Sequence, residues 1–304
     1  MRIAVTGSHG LIGSALVAQL HRQGAEVVRV VRGNAGPDEA GWNVEAGTID
    51  LNGLRGVHAV VHLAGAGVGD HRWSTKYKEA ILSSRVNGTV TLARALSAMS
   101  EPPPVLLSGS AVGYYGVRAD EVLTEESGKG SGFLAEVCAQ WEAAAAPAAT
   151  AGIRVVQLRS GIVLSAAGGA LKKQLLPFRI GLGARLGTGR QQFSWITRRD
   201  VVSAITFLIG RDDLSGPVNM TAPTPVSNAE FTRALGRALH RPAKLAVPAA
   251  VLRRAAGTEM AEEILLASQR AVPQRLMAAG FEFADAQLED ALRTALDDGA
   301  LVPV

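Results

Sequence analysis

The sequence predicts an α/β fold: a doubly wound parallel sheet with a smaller, mostly helical C-terminal lobe. Three observations carry this. Short apolar runs bounded by glycine or proline alternate with segments of helical periodicity, the pattern of parallel strands joined by crossover helices. The first such run enters a glycine-spaced turn, Gly7-x-x-Gly10-x-x-Gly13, that opens a helix. From Pro223 onward the chain reads as helices punctuated by Pro225, Pro242, Pro248 and Pro273.

Each element can be justified in order. The strands expected are Ile3–Thr6, Glu26–Val31, Ala59–Leu63, Val105–Ser108, Val155–Leu158 and Pro217–Met220. Between the first two, Leu11, Ile12, Ala15, Leu16, Gln19 and Leu20 have the i, i+3, i+4 spacing of an amphipathic helix, which Gly24 closes. A helix through Arg85–Thr89 to Met99 is stopped by Pro102-Pro103-Pro104, after which the chain re-enters as a strand. A further helix, from Phe133 to Ala149, carries Pro147, which should kink or end it. Beyond Gly168-Gly169 the pattern loosens into a stretch rich in glycine and arginine from Arg179 to Arg190. With Pro177 just upstream and no apolar strand leading in, Gly181 to Arg190 reads as a mobile loop over a substrate pocket.

Composition bounds the class. A chain of 304 residues with 47% hydrophobic content can bury a sizeable core and is long enough for one large domain and a smaller lobe. The expected division is 1–170, completed by about 195–222, against a substrate lobe of 171–194 and 223–304. Apolar stretches break well before the ~18 residues that a membrane-spanning helix needs. Met1-Arg2-Ile3 leads straight into a strand without a signal-peptide layout. A cytoplasmic protein with no membrane partner is expected. The single cysteine, Cys138, excludes an internal disulfide. The six histidines have no metal-ligand spacing, so no metal is expected, and His58 and His62 read as core or cofactor-edge side chains. The net charge is +4, but the arginines are spread along the chain rather than gathered in a stripe. Nucleic acid is therefore not an expected partner, and a local excess of arginine is free to serve an anionic cofactor or substrate.

The glycine turn points to a nucleotide. Gly7 allows the tight turn after the strand, Gly10 lets the backbone approach a pyrophosphate, and Gly13 lets the helix pack against the sheet, with the helix N-terminus facing the phosphates. Arg32 follows nineteen residues after Gly13, where an NAD-binding chain usually carries an acidic residue for the ribose 2′-hydroxyl. A guanidinium there suits a 2′-phosphate instead, with Arg29 as a helper, so NADP is the expected cofactor.

Several stretches together resemble a known family. They are the glycine turn, Val61-His62-Leu63-Ala64-Gly65, Ser108-Gly109-Ser110-Ala111-Val112-Gly113-Tyr114-Tyr115-Gly116, Leu158-Arg159-Ser160-Gly161-Ile162-Val163-Leu164, Leu176-Pro177-Phe178-Arg179-Ile180-Gly181-Leu182-Gly183 and Phe193-Ser194-Trp195-Ile196. The chain resembles, over essentially its whole length, the extended short-chain dehydrogenase/reductases, in particular their atypical branch, epimerase-like with a C-terminal domain of unknown function. The resemblance implies a Rossmann domain with a small C-terminal lobe and NADP(H) as cofactor. It implies that Val31 and Arg32 flank the adenosine phosphate, that His62 and Leu63 lie along the cofactor, and that Ile162 is near the nicotinamide. With His9, Leu11 and Ile12 of the glycine turn, Ala64, Gly65 and Arg85, whose charge is placed to meet a phosphate, these complete the expected cofactor set. Two departures from the branch stand out: Ala66-Gly67-Val68 after the Leu-Ala-Gly, and Thr197-Arg198-Arg199-Asp200 where a histidine often precedes the aspartate.

The wider superfamily uses a tyrosine and a lysine four residues later as its acid/base pair. None of the three tyrosines here has such a lysine. Either Phe133 and Val137 or Leu134 and Cys138 occupy the pair's positions, and neither register transfers a proton in the usual way. Ser110, Tyr114 and Tyr115 are the remaining candidates for proton transfer or substrate contact. The function expected is an NADP(H)-dependent, epimerase-like oxidoreductase acting on an unidentified small molecule. The alternative is a non-catalytic NADP(H)-binding redox sensor or scaffold. A second copy of the chain is a candidate partner, as a homodimer.

Overall fold

The structure, a computed structural model, describes residues 1–298, so the last six residues of the expected lobe lie outside the described residues. In chain order the first elements are β1 Arg2–Thr6, α1 Leu11–Arg22, β2 Glu26–Arg32, β3 Glu39–Asn43, β4 Thr48–Ile49, β5 Ala59–His62, α2 Thr75–Ser97 and β6 Val105–Ala111. A 3-10 turn, Val112–Tyr115, and β7 Val122–Leu123 lead to α3 Phe133–Ala143, α4 Ala146–Thr150 and β8 Arg154–Ser160. Next come β9 Ile162–Leu164, α5 Gly169–Arg179, β10 Ala184–Leu186, β11 Gln192–Phe193, β12 Trp195–Thr197, α6 Arg198–Ile209, β13 Gly216–Met220 and β14 Val226–Ser227. The chain ends on α7 Asn228–Ala238, β15 Leu245–Val247, α8 Ala249–Ala256, α9 Thr258–Met260, a π-helical turn Ala261–Leu265, β16 Arg270–Ala271, α10 Gln274–Ala278 and α11 Leu288–Asp297.

All six expected strands form and join one sheet, in the order β13-β8-β6-β5-β1-β2-β3-β4. The chain winds outward from β1 through β2 and β3, then returns to the other side of β1 with β5. That reversal is where a doubly wound sheet opens a crevice at the carboxyl ends of its strands. Pairing is parallel from β3 through β2, β1 and β5 to β6, with Thr6 level with His62 and His62 level with Ser108. The central strands β1, β5 and β6 are buried along nearly their whole length, which suits a parallel sheet covered by helices on its faces.

The chain divides into two compact units. One comprises Met1–Ser110, Val137–Leu158 and Val202–Val218; the other comprises Ala111–Glu136, Arg159–Val201 and the residues from Asn219 onward. This division differs from the expected boundary in grouping 111–136, 159–170, 195–201 and 219–222 with the C-terminal unit. In the first unit the core packs Ala4, Val28, Val30 and Val60 of the sheet against Leu92, Ala93 and Leu96 of α2. In the second, Leu171, Leu175 and Phe178 of α5 meet Phe231 and Leu235 of α7 and Leu288 and Leu292 of α11. The residues after Asn219 are mostly helical, as expected.

Two local differences have physical reasons. Pro177 does not prevent a helix: it sits in the last turn of α5, where its missing N–H removes a single bond. The stretch from Gly181 to Arg190 is not a plain loop, because Ala184–Leu186 pairs in parallel with Leu245–Val247. Pro147 does end a helix. It lies in the first turn of α4, where a proline costs no hydrogen bond. Among the described residues, no helix is long and apolar enough to cross a membrane.

Candidate cofactor and catalytic site

The glycine turn is built so that backbone alone fills it. Gly7 has φ +65°, and a Cβ there would lie 2.8 Å from the Leu63 carbonyl carbon. A Cβ on Gly13 would lie 2.2 Å from the Gly7 carbonyl oxygen. The turn closes with the Gly10 amide donating to the Gly7 carbonyl at 2.9 Å. Helix α1 starts at Leu11 with no side-chain cap and no acidic residue in its first turn. Its first N–H groups and positive dipole end are therefore left to an outside anion. This cradle fits a dinucleotide pyrophosphate. His9 and Gly10 are exposed, Leu11 and Ile12 half-buried, and Ser8 buried beneath them.

Strand β2 ends at half-buried Val31 and exposed Arg32, followed by Gly33 at φ +89°. Arg32 is thus a cation at the carboxyl edge of the strand next to β1, where a ribose phosphate is expected.

His62 is fully buried. Its ring lies between Thr6 Oγ1, 2.7 Å from Nδ1, and Thr89 Oγ1, 3.0 Å from Nε2, and it meets Trp42 edge-on at 5.9 Å. Burial holds its pKa down at about 4, so the imidazole is neutral. Thr6 Oγ1 also accepts the amides of Leu63 and Ala64, at 3.1 and 3.2 Å. This buried hydroxyl fixes the backbone that leaves β5 beside the glycine turn. Arg85 braces the same segment from outside: its Nη1 donates to the carbonyls of Ala66 and Ile81, and its guanidinium stands 5.0 Å from the Trp141 ring centroid. A Cβ on exposed Gly65 would touch that guanidinium at 3.3 Å.

At the end of β6, Ser110 is buried and donates its hydroxyl to Glu142 Oε1 at 2.7 Å. Helix α3 supplies Glu142, and its buried Val137, Cys138 and Trp141 mark the inward face. Trp141 fills the space a side chain on Gly109 would need, 2.6 Å from an added Cβ. Glu142 was not singled out from the sequence. Its signal is the helical spacing: it lies four residues after Cys138 and eight after Leu134, on the face where the missing pair would stand.

The second unit holds Tyr114, Tyr115 and Ile162. Tyr115 is fully buried, its hydroxyl donating to Asn219 Oδ1 at 2.7 Å and accepting from Arg159 at 3.1 Å. Burial raises its pKa. Tyr114 is half-buried, with the Arg159 guanidinium 3.6 Å above its ring. Buried Glu125 accepts the Asn219 amide at 3.0 Å, and burial raises its pKa too. Half-buried Ile162 pairs with Trp195 in the short β9–β12 ladder. No cluster of three or more potential metal ligands occurs among the described residues.

Comparison with known proteins agrees with this geometry. Residues 3–220 match the model of the NAD dependent epimerase/dehydratase family, and residues 247–295 match a domain of unknown function, DUF1731. An epimerase family protein of Mycobacterium bovis is 46% identical over 291 residues, covering 95% of this chain and 96% of that protein. The crystal structure of the human epimerase family protein SDR39U1 with NADPH superposes with a TM-score of 0.89 at 33% identity, covering 99% of this chain and 100% of that one. The nucleoside-diphosphate sugar epimerase from Corynebacterium glutamicum superposes with a TM-score of 0.80 at 36% identity, covering 97% of this chain and 59% of the longer one. With a glycine cradle at the head of a doubly wound sheet and these matches along nearly its full length, the chain belongs to the NAD dependent epimerase/dehydratase family, in the branch that carries DUF1731.

Proposed function

We propose that this chain is an NADP(H)-dependent oxidoreductase of the epimerase type, acting on an alcohol or carbonyl group of a small molecule, in which Ser110 and Glu142 move the proton. The observation that carries the reading is the 2.7 Å hydrogen bond from Ser110 to Glu142 at the carboxyl edge of the sheet that bears the glycine cradle. Arg32 and the NADPH held by the human relative support the choice of cofactor.

A bound nicotinamide supplies the hydride acceptor or donor. The chain supplies the proton path. In the oxidising direction Ser110 Oγ takes the proton of a substrate hydroxyl as its own proton passes to the Glu142 carboxylate; in reduction the protons return along the same two bonds. This replaces the tyrosine and lysine that Phe133/Val137 or Leu134/Cys138 cannot supply. Tyr114 remains a candidate for proton transfer or substrate contact and Ile162 for the nicotinamide, whereas the Tyr115 hydroxyl is already committed to Asn219 and Arg159 inside its unit.

The test is NADPH oxidation against a panel of aldehydes and ketones. Ser110→Ala and Glu142→Gln should each lower turnover by roughly 10²–10⁴-fold. Turnover that survives Glu142→Gln sinks the proton path. No turnover of any carbonyl, with NADPH binding intact, favours the redox sensor.

A further inference from the structure

The second unit exposes apolar side chains where an ordinary surface helix is polar. Helix α5 buries one stripe, Leu171, Leu175 and Phe178, in the core of its unit. Its outward stripe is apolar as well: Leu176 is 70% exposed and Ile180, one turn on, 62%. Solvated helix faces are normally charged or polar, and this second stripe contributes nothing to the core. Leu182, 54% exposed, and Leu245, 49% exposed, extend it.

These side chains stand on fixed backbone. Helix α5 ends in a Schellman closure, with the Gly181 amide donating to the Phe178 carbonyl at 3.0 Å and the Leu182 amide to the Pro177 carbonyl at 2.8 Å. Gly181, at φ +80°, makes the left-handed turn that the closure needs and folds Leu182 back toward the last turn of α5. Gly183 has no room for a side chain, since a Cβ there would lie 2.7 Å from the Phe178 ring and 3.0 Å from Ala243. The chain then enters β10, where Ala184 is level with Leu245 of β15. Arg241 Nε ties the two segments together by donating to the Arg179 carbonyl at 2.9 Å.

The charge around this apolar ground has one sign. The sequence carries no aspartate or glutamate between Glu142 and Asp200, nor between Glu230 and Glu259, and α5 and β15 come from those two stretches. Lys172, Arg179, Arg241 and Lys244 are exposed there, without a carboxylate partner among the described residues. At the margin, Glu289 pairs with Arg237 at 2.8 Å. From Arg237 to Lys244 the surface is open rather than cleft-like, a shape that suits a plane better than an enclosed molecule.

We propose that this face docks on an anionic phospholipid bilayer, with Leu176, Ile180 and Leu182 entering the headgroup boundary and the surrounding cations meeting lipid phosphates. Stable attachment takes two signals, apolar insertion and a basic patch, and one surface carries both. A second copy of the chain would set like charge against like charge. A nucleic acid would meet leucine and isoleucine, with no aromatic ring among these side chains for a base to stack on. The expectation of no membrane partner rests on the lack of a spanning segment, and a peripheral contact needs none.

The test is flotation of the full chain, loaded with NADPH, on phosphatidylcholine vesicles with and without phosphatidylglycerol. Binding is expected on the anionic vesicles and little on phosphatidylcholine alone. Leu176→Ser/Ile180→Ser/Leu182→Ser should weaken it roughly tenfold or more at every salt concentration. Arg179→Gln/Lys244→Gln should weaken it by a similar factor at low salt, with parent and variant converging as salt rises. Circular dichroism and melting temperature confirm that the variants fold. No binding to anionic vesicles, or binding unchanged in the apolar variant, overturns the proposal. Without vesicle binding, retention of duplex DNA assigns the face to a nucleic acid, and self-association that the apolar variant abolishes assigns it to a second copy.

Discussion

Thr6 and His62 are joined by a 2.7 Å hydrogen bond whose direction their neighbours dictate. Thr89 donates its hydroxyl to the Arg85 carbonyl at 2.8 Å, so toward His62 it accepts, which puts the ring proton on Nε2. Nδ1 is then an acceptor and Thr6 its donor, and Thr6 in turn accepts the amides of Leu63 and Ala64. A continuous chain of bonds thus runs from the backbone beside the glycine turn to the middle of α2, and it requires a neutral His62.

That requirement makes stability depend on pH. The folded pKa of about 4 lies below the 6.5 of an unfolded histidine, so the contribution is complete above pH 6.5 and is lost as pH falls toward 4. A loss of about 3 kcal/mol is expected across that window. Urea unfolding at a series of pH values checks it. His62→Leu should be less stable at pH 7 and lose less on acidification, whereas an identical slope in both proteins counts against the role given to His62.

Gly13→Ala should open the glycine turn, because the added methyl would stand 2.2 Å from the Gly7 carbonyl oxygen. NADPH affinity should fall roughly tenfold or more, with a smaller effect on melting temperature. Affinity equal to that of the parent chain would mean that the cofactor does not rest on this turn.

The two adjacent tyrosines should respond differently. Tyr115→Phe removes a buried hydroxyl that links Arg159 to Asn219 and should destabilise the chain by about 1–3 kcal/mol. Tyr114→Phe keeps the ring beneath Arg159 and should leave stability nearly unchanged. Chemical denaturation of the two variants decides between this and a shared role.

The N-terminus of α3 rests on a carboxylate from the π-helical turn. Glu263 accepts the amides of Phe133 and Leu134, both at 2.8 Å. Glu263→Ala should cost about 1–2 kcal/mol by exposing those donors at the positive end of the helix. Gly132→Ala should be worse tolerated than a typical surface change, since φ is +107° and its methyl would lie 2.9 Å from the same carboxylate. Thermal melts of both variants test the cap.

Much of the fold was legible because local pattern and global topology agree. The six buried strands, the glycine turn and the Pro102–Pro104 stop each announce themselves within a few residues. Strand β3 did not, because Glu39, Gly41 and Asn43 break the apolar run that the other parallel strands show. Helix α2, read from the sequence through Arg85–Thr89, begins at Thr75 on the cap that Ser74 supplies to the Tyr77 amide. The site was legible where one short segment builds it, as at Gly7 to Gly13. It was not legible where it depends on side chains from separate elements: Ser110 meets Glu142 from 32 positions away, and Tyr114 meets an arginine two strands later. The Gly181 to Arg190 stretch misled for the same reason, since the partner strand of Ala184–Leu186 lies near Pro248.

Calorimetric titration of the purified chain with NADPH and with NADH tests the central assignment most directly. NADPH should bind more tightly by about 1.5–3 kcal/mol, roughly tenfold to a hundredfold, and Arg32→Asp should erase the difference by replacing the cation at the end of β2 with an acid. NADH binding as tightly as NADPH, or a preference for NADPH that survives Arg32→Asp, contradicts it.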